Sequence, residues 1–153
     1  ESIQIAKKAN KKLIISGLIQ DEAYFEEKVK PYVNGKDIVY VGNSGPEARD
    51  KLLGEALALL HPISFDEPFG LSVAEAMFCG TPVLAFNRGS MPELIAHTKT
   101  GFLVNTVEEA VEALNDTNSI SRKDCRDWAM ANFSLEKMVD GYLDVYKRIL
   151  HEK

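Results

Sequence analysis

SFDEPFGLSVAEAMFCGTPVLAFNRGSMPELI, residues 64–95, carries a loop, a helix, a strand and a second helix start in close succession. Phe69–Gly70–Leu71 opens a helix predicted over Gly70–Cys79. Gly80 suits a left-handed close to that helix, and Thr81–Pro82 leads into the strand PVLAF, Pro82–Phe86. Ser90 and Glu93 have capping-box spacing, which predicts Ser90 as the N-cap of a helix over Ser90–Ala96. The first amides of a helix lack intrahelical acceptors and lie at the positive end of its dipole. Gly70, Leu71 and Ser72 are thus expected to present N–H groups to an anion such as phosphate. Glu67, in the loop before the helix, and Glu75, inside it, bracket that position with seven residues between them. Beside an anion site a carboxylate is an acceptor for neutral hydroxyls rather than a partner of the phosphate. A diphosphate flanked by hydroxyl-rich groups, the form of a nucleotide sugar, fits the whole set. On spacing alone the blander readings stay open: a loop glutamate at Glu67, a solvated helix position at Glu75, simple turn chemistry at Gly70. Ala74 and Ala76 read as close-packing residues against a sheet.

Outward from this stretch, short apolar runs alternate with amphipathic ones. KLIISG (Lys12–Gly17), DIVYVG (Asp37–Gly42), ALALLHP (Ala56–Pro62) and GFLV (Gly101–Val104) join PVLAF as predicted strands, bounded by Gly or Pro. Their near-continuous hydrophobicity predicts a parallel sheet covered on both faces. Helices are expected over Ser2–Asn10, Asp21–Val33, Gly45–Gly54 and Thr106–Leu114, then over Ser121–Phe133 and Ser134–Leu150. The fold class is therefore α/β, a doubly wound, mostly parallel sheet with two C-terminal helices. In the last helix Leu135, Met138, Val139, Tyr142, Tyr146, Ile149 and Leu150 recur at helical spacing, so the terminal pair is free to pack against something other than the sheet. With 153 residues, 45% of them hydrophobic, the chain suits one domain and is too short for two. The Rossmann-like core is expected over about 1–117 and the terminal helices over about 119–150.

With those residues in view, Glu67-PFGLSVA-Glu75 followed by AMFCGTPV resembles the E-x7-E signature of the family-four retaining glycosyltransferases, which adopt the GT-B fold. The likeness runs over most of the chain. KLIISG and IVYVG resemble the early strands of that family's C-terminal domain, and ALALLHPISFDEPFGL resembles the strand entering its site. GSMPELI with TGFLV resembles its Gly-Gly-x-x-Glu loop and next strand, and NFSLEKMVDGYLDVYKRI its terminal helix. The resemblance implies a Rossmann-like donor-binding domain for a nucleotide diphosphate sugar. It implies that Glu75 accepts from two ribose hydroxyls, while Glu67 lies beside the donor sugar as the catalytic candidate. Phe69, Gly70 and Leu71 would offer backbone amides to the sugar and diphosphate. Val41 and Gly42 fall where the family places the base, and Gly17 ends a strand at the same sheet edge. Gly89 and Ser90 are weaker candidates, since a turn and a cap explain them.

The family also carries an earlier strand, a loop with an Arg and a Lys, and an N-terminal domain that binds the acceptor (a glycan, lipid or small molecule). The sequence from Glu1 onward contains none of these, so this chain assayed alone is expected to be inactive. Lys7, Lys8, Lys11 and Lys12 read as a solvated helix face, Arg88 as a surface residue with a phosphate contact as the alternative, and His61 as a packing histidine with a cleft contact as the alternative. The resemblance also implies front-side transfer with retained configuration, which requires no metal or other cofactor, and no metal-ligand spacing is visible.

The rivals differ in class. One is a non-catalytic nucleotide-sugar-binding or interaction domain that uses its terminal helices. Others are GT-B enzymes such as a nucleotide-sugar epimerase or glycogen synthase. A nicotinamide oxidoreductase is excluded by the absence of GxGxxG after any strand. A net charge of -5 without a basic block excludes a dedicated nucleic-acid surface. No apolar run reaches the roughly 18 residues of a transmembrane segment. Cys79 and Cys125 lack CxxC or Cys/His spacing and read as reduced thiols, so the expected location is cytoplasmic, with peripheral membrane association open for the full-length protein.

Overall fold

A computed structural model describes residues 1–151. Five short strands, all parallel, form two separate ladders. Strand β1 (Leu13–Ile15) pairs with β2 (Ile38–Tyr40), Leu13 lying opposite Ile38. Strand β4 (Val83–Phe86) lies between β3 (Leu59–His61) and β5 (Gly101–Val104), with Val83 opposite both Leu59 and Gly101. The order is β2-β1 and β3-β4-β5, with no ladder between β1 and β3 among the described residues. Along that break runs a cleft of about 1180 Å³, lined by Leu13, Ile14 and Ile15 on one side and by Ala58, Leu59 and Leu60 on the other.

All five strands fall inside the predicted apolar runs, but they are covered differently. Successive strand residues face opposite sides of a sheet. In β4, Val83 and Ala85 join one core cluster with Val73, Ala76 and Met77, while Leu84 on the opposite face joins another with Ile5, Val104, Ala110 and Leu114. Helices therefore cover both faces there, as a continuous apolar run requires. Around β1 the expectation fails: Ile14 is 44% exposed, because only β2 flanks this strand. Where β4 meets β5 the backbones approach so closely that a Cβ on Gly101 would lie 2.0 Å from the Val83 carbonyl oxygen.

The helices follow the expected order: α1 (Ser2–Lys8), α2 (Glu22–Tyr24), α3 (Pro46–Glu55), α4 (Leu71–Phe78), α5 (Met91–Leu94), α6 (Val107–Asp116), α7 (Arg122–Phe133) and α8 (Leu135–His151). The single helix expected over Asp21–Val33 is not one. Asp21 caps the three-residue α2, a π turn follows over Phe25–Val29, and a 3-10 turn over Lys30–Tyr32 ends the segment. Pro31 is the cause, since it has no N–H for an i→i−4 bond and its ring crowds the preceding turn. Gly80 does close α4 in the left-handed region, with φ +74°.

Helix α7 packs on α4 and is pinned at its start by Arg122, whose guanidinium donates to the carbonyls of Ala56 and Gly54 and to Thr81 Oγ1. The Trp128 indole N–H, farther along, donates to the Leu94 carbonyl at 2.8 Å. Helix α8 buries none of its residues, and its periodic apolar face from Leu135 to Leu150 lies open. No described helix is long and apolar enough to cross a membrane.

Candidate functional site

Strand β3 delivers the chain to the carboxyl edge of its sheet at His61, and the loop from Pro62 to Gly70 crosses that edge into α4. Gly70 precedes the helix with φ +95°, a conformation few side chains tolerate, and a Cβ there would sit 2.8 Å from Met91 Cε. Its carbonyl accepts from Val73 and Ala74. The amides of Gly70, Leu71 and Ser72 have no hydrogen-bond partner among the described residues. Leu71 is exposed, and the Phe69 ring packs edge-on against Phe133 with centroids 6.1 Å apart. Three successive N–H donors without a partner among the described residues thus stand at the start of an eight-residue helix, the arrangement that favours an anion.

The loop bearing Glu67 is held from behind by residues 88–90. Ser90 N–H donates to the Glu67 carbonyl at 2.9 Å, and Ser90 Oγ donates to the Phe69 carbonyl at 2.7 Å. Arg88 Nη1 donates to the Ser64 carbonyl at 2.6 Å. Gly89, at φ +56°, lies against the Glu67 backbone, where a Cβ would come within 2.6 Å of both its N and O. This corrects the capping box. Ser90 has helical dihedrals (φ −77°, ψ −4°) and makes no side-chain cap to α5, because its buried hydroxyl has a tertiary acceptor instead. Arg88 likewise spends one guanidinium nitrogen on the loop. The Glu67 carboxylate is half-buried, and Oε1 accepts only a long 3.5 Å contact from the Phe69 amide.

Glu75 lies one turn into α4 and is partnered from another element: Arg49 Nη1 of α3 stands 2.8 Å from Glu75 Oε1. Arg49 was not legible as a site residue, since a lone arginine in an amphipathic helix carries no spacing signal. Met91 and Phe133, which pack against the loop–helix junction, were equally silent.

The other candidates gather on the β1–β2 side. Gly17 N–H donates to the Gly42 carbonyl at 2.9 Å, Val41 N–H to Ile15 at 3.0 Å, and the Tyr40 hydroxyl to Gly17 at 2.8 Å. Gly17, Val41 and Gly42 are therefore drawn together, with Val41 exposed. Among the described residues no hydrogen bond or ion pair joins them to Glu67 or to residues 69–72. Arg49, on the helix that follows Gly42, reaches α4 itself through its ion pair with Glu75.

His61 ends β3 with Nε2 buried and without a hydrogen-bond partner among the described residues. Burial holds its pKa below 6.5, and the negative charge of Glu67 opposes the shift. Burial also pushes the Cys125 thiol up to about 11, consistent with a packed cysteine rather than a reactive one.

The sequence profile of the family described as glycosyl transferases group 1 matches residues 1–133. The chain belongs to this family. A Klebsiella pneumoniae protein described only as an uncharacterized 41.2 kDa protein of the cps region is 34% identical over 122 residues, covering 75% of this chain and 34% of that protein. The trehalose synthase of Thermococcus litoralis is 31% identical over 130 residues, covering 80% of this chain and 32% of the enzyme.

Among solved structures, AviGT4, a glycosyltransferase involved in avilamycin A biosynthesis, superposes with a TM-score of 0.82 at 24% identity, over 100% of this chain and 48% of its own. Anabaena HepE, solved in complex with UDP-glucose, superposes with a TM-score of 0.80 at 20% identity, over 97% of this chain and 45% of its own. These likenesses show the GT-B glycosyltransferase fold. This group 1 glycosyl transferase chain spans about a third of the Klebsiella and Thermococcus relatives and under half of the solved structures.

Proposed function

We propose that this group 1 chain is the donor-binding half of a retaining glycosyltransferase, acting on a nucleotide diphosphate sugar while an acceptor is held by another part of the protein. The observation that carries the reading is the set of unpartnered amides at Gly70, Leu71 and Ser72 with Glu67 before them and Glu75 after them. The amides take the diphosphate and, with the helix dipole behind them, support its charge as it leaves. Glu75 accepts from the ribose hydroxyls. Glu67 lies by the sugar and favours the positive charge that develops there, which binds the transition state more than the ground state. Val41 and Gly42 receive the base, and Gly17 lines the cleft. The leaving diphosphate assists removal of the acceptor proton, so a glycosidase-like pair of acid and base carboxylates is not needed, and neither is a cofactor. The UDP-glucose held by HepE is a ligand of the proposed class.

The break between β1 and β3 supports a second element of the reading. Two unpaired strand edges face an apolar cleft of about 1180 Å³. An added parallel strand from the longer protein would give the order 3-2-1-4-5-6 of a doubly wound sheet. It would also satisfy the main-chain groups of both edges.

Calorimetry and transfer assays on the full-length protein test the site. Glu75→Ala should weaken nucleoside diphosphate binding by about 1.5–3 kcal/mol, roughly tenfold to over a hundredfold. Glu67→Gln should leave that affinity within about threefold while lowering the transfer rate about a hundredfold. An unchanged affinity in Glu75→Ala, or equal losses of both quantities in Glu67→Gln, would contradict the division of the ligand between the two carboxylates.

A further inference from the structure

The Arg49–Glu75 pair is the least exposed ion pair among the described residues, with side chains 41% and 35% accessible. Arg49 stands one turn into α3, directly after the loop proposed to receive the base, and Glu75 stands one turn into α4. Nη1 holds Glu75 Oε1 at 2.8 Å, while Nε and Nη2 each lie 3.4 Å from Asp50 Oδ1. A carboxylate has two oxygens, and Glu75 Oε2 has no protein partner among the described residues. The guanidinium thus fixes one oxygen and leaves the other free to accept.

A free glutamate side chain has several rotamers to lose on binding, and fixing it beforehand lowers that cost. The pairing also offsets a negative charge that would otherwise repel a diphosphate nearby. We infer that Arg49 is a positioning residue: it holds Glu75 in the conformation that reads the ribose hydroxyls, and so sets preference for a ribonucleotide donor over a deoxy one. The inference rests on the proposed role of Glu75. It goes further by assigning the selectivity of that carboxylate to a residue on a different helix.

The test uses the full-length protein and two probes, UDP and 2′,3′-dideoxy-UDP, with the corresponding guanine pair run beside them. In Arg49→Gln, affinity for the ribonucleotide should fall roughly threefold to tenfold, since half-exposed pairs contribute modestly. Affinity for the dideoxy probe should stay within about twofold, which also serves as the control for folding. Arg49→Lys should recover part of the loss. Equal weakening toward both probes would mean that Arg49 acts on the phosphates or on the fold, and tighter binding would mean that the pair blocks the site; either overturns the inference. Glu75→Gln, measured in parallel, separates the two levels. If it abolishes the ribose preference and Arg49→Gln does not, the inference fails and the reading of Glu75 stands. If Glu75→Gln leaves the preference intact, or the wild type binds neither ribonucleotide, both fail.

Discussion

Strands β4 and β1 are written in much the same alphabet, VLAF and LII, and both pair in parallel, yet their surroundings differ. Val83, Leu84 and Ala85 are at most 1% exposed, whereas Ile14 is 44% exposed. The difference lies in the neighbours. Strand β4 has a strand on each edge and helices on each face. Strand β1 has a partner on one edge and an open cleft on the other. Apolar patterning therefore states what a strand is able to bury, and the elements beside it decide how much is buried. The two groups of proposed site residues follow the same division: Glu67 to Glu75 stand on the well-packed side, while Gly17, Val41 and Gly42 stand on the open one.

The sharpest way to break this comparison is to disturb each side with an added carbon. Gly101→Val would press a side chain into the Val83 carbonyl, 2.0 Å from even a Cβ, and should cost more than about 4 kcal/mol or abolish folding. Gly54→Ala, in α3 where its neighbours Leu53 and Glu55 line the open cleft and nothing lies within 4 Å of the added carbon, should be neutral or stabilising by up to about 1 kcal/mol. Comparable losses in chemical denaturation would mean that the two regions are equally tight.

Deleting side-chain volume sharpens the contrast from the other direction. Met77→Ala removes a fully buried side chain at the centre of the β4 cluster and should cost about 3 kcal/mol. Ile14→Ala should cost under about 1 kcal/mol in this chain, because much of the side chain already meets water. In a longer protein whose added strand covers the cleft, the Ile14→Ala loss should rise toward that of a core residue. If it does not rise, the proposed strand does not seat beside β1.

The smallest effect concerns His61, on the rim between the two sides. Its folded pKa lies below the ordinary 6.5, so the native state favours neutral imidazole. Above about pH 6.5 neither state binds the proton and the residue contributes no pH dependence. As the pH falls through that value the unfolded chain takes up a proton that the native chain refuses, and stability declines until the lowered native pKa is passed. His61→Asn should remove that decline, measured as the difference between variant and wild-type thermal midpoints from pH 7.5 to 5. An identical pH dependence in both proteins would contradict the burial of Nε2.

The strands and most helices could be located from the chain because their signals are local: apolar runs bounded by Gly or Pro, and the left-handed close at Gly80. Elements failed where a local signal met a stronger competitor. The periodicity of Asp21–Val33 did not outweigh Pro31. The Ser90–Glu93 spacing yielded to the Phe69 carbonyl, which lies 21 residues away and invites a buried hydroxyl. Glu67, Gly70 and Glu75 were legible in the chain because loop, helix start and carboxylates are contiguous. Arg49 was not, because 26 positions separate it from Glu75 and only the packing of α3 beside α4 brings them together.

By itself the sequence determined the α/β alternation, the parallel strands and the loop–helix unit from Glu67 to Glu75, since each depends on the chemistry of residues near one another in the chain. Tertiary structure alone decided which strands are covered, that residues 88–90 brace the Glu67 loop, and that Arg49 holds Glu75. Those depend on backbone carbonyls and charges meeting across long separations, and a carbonyl has no letter in the sequence.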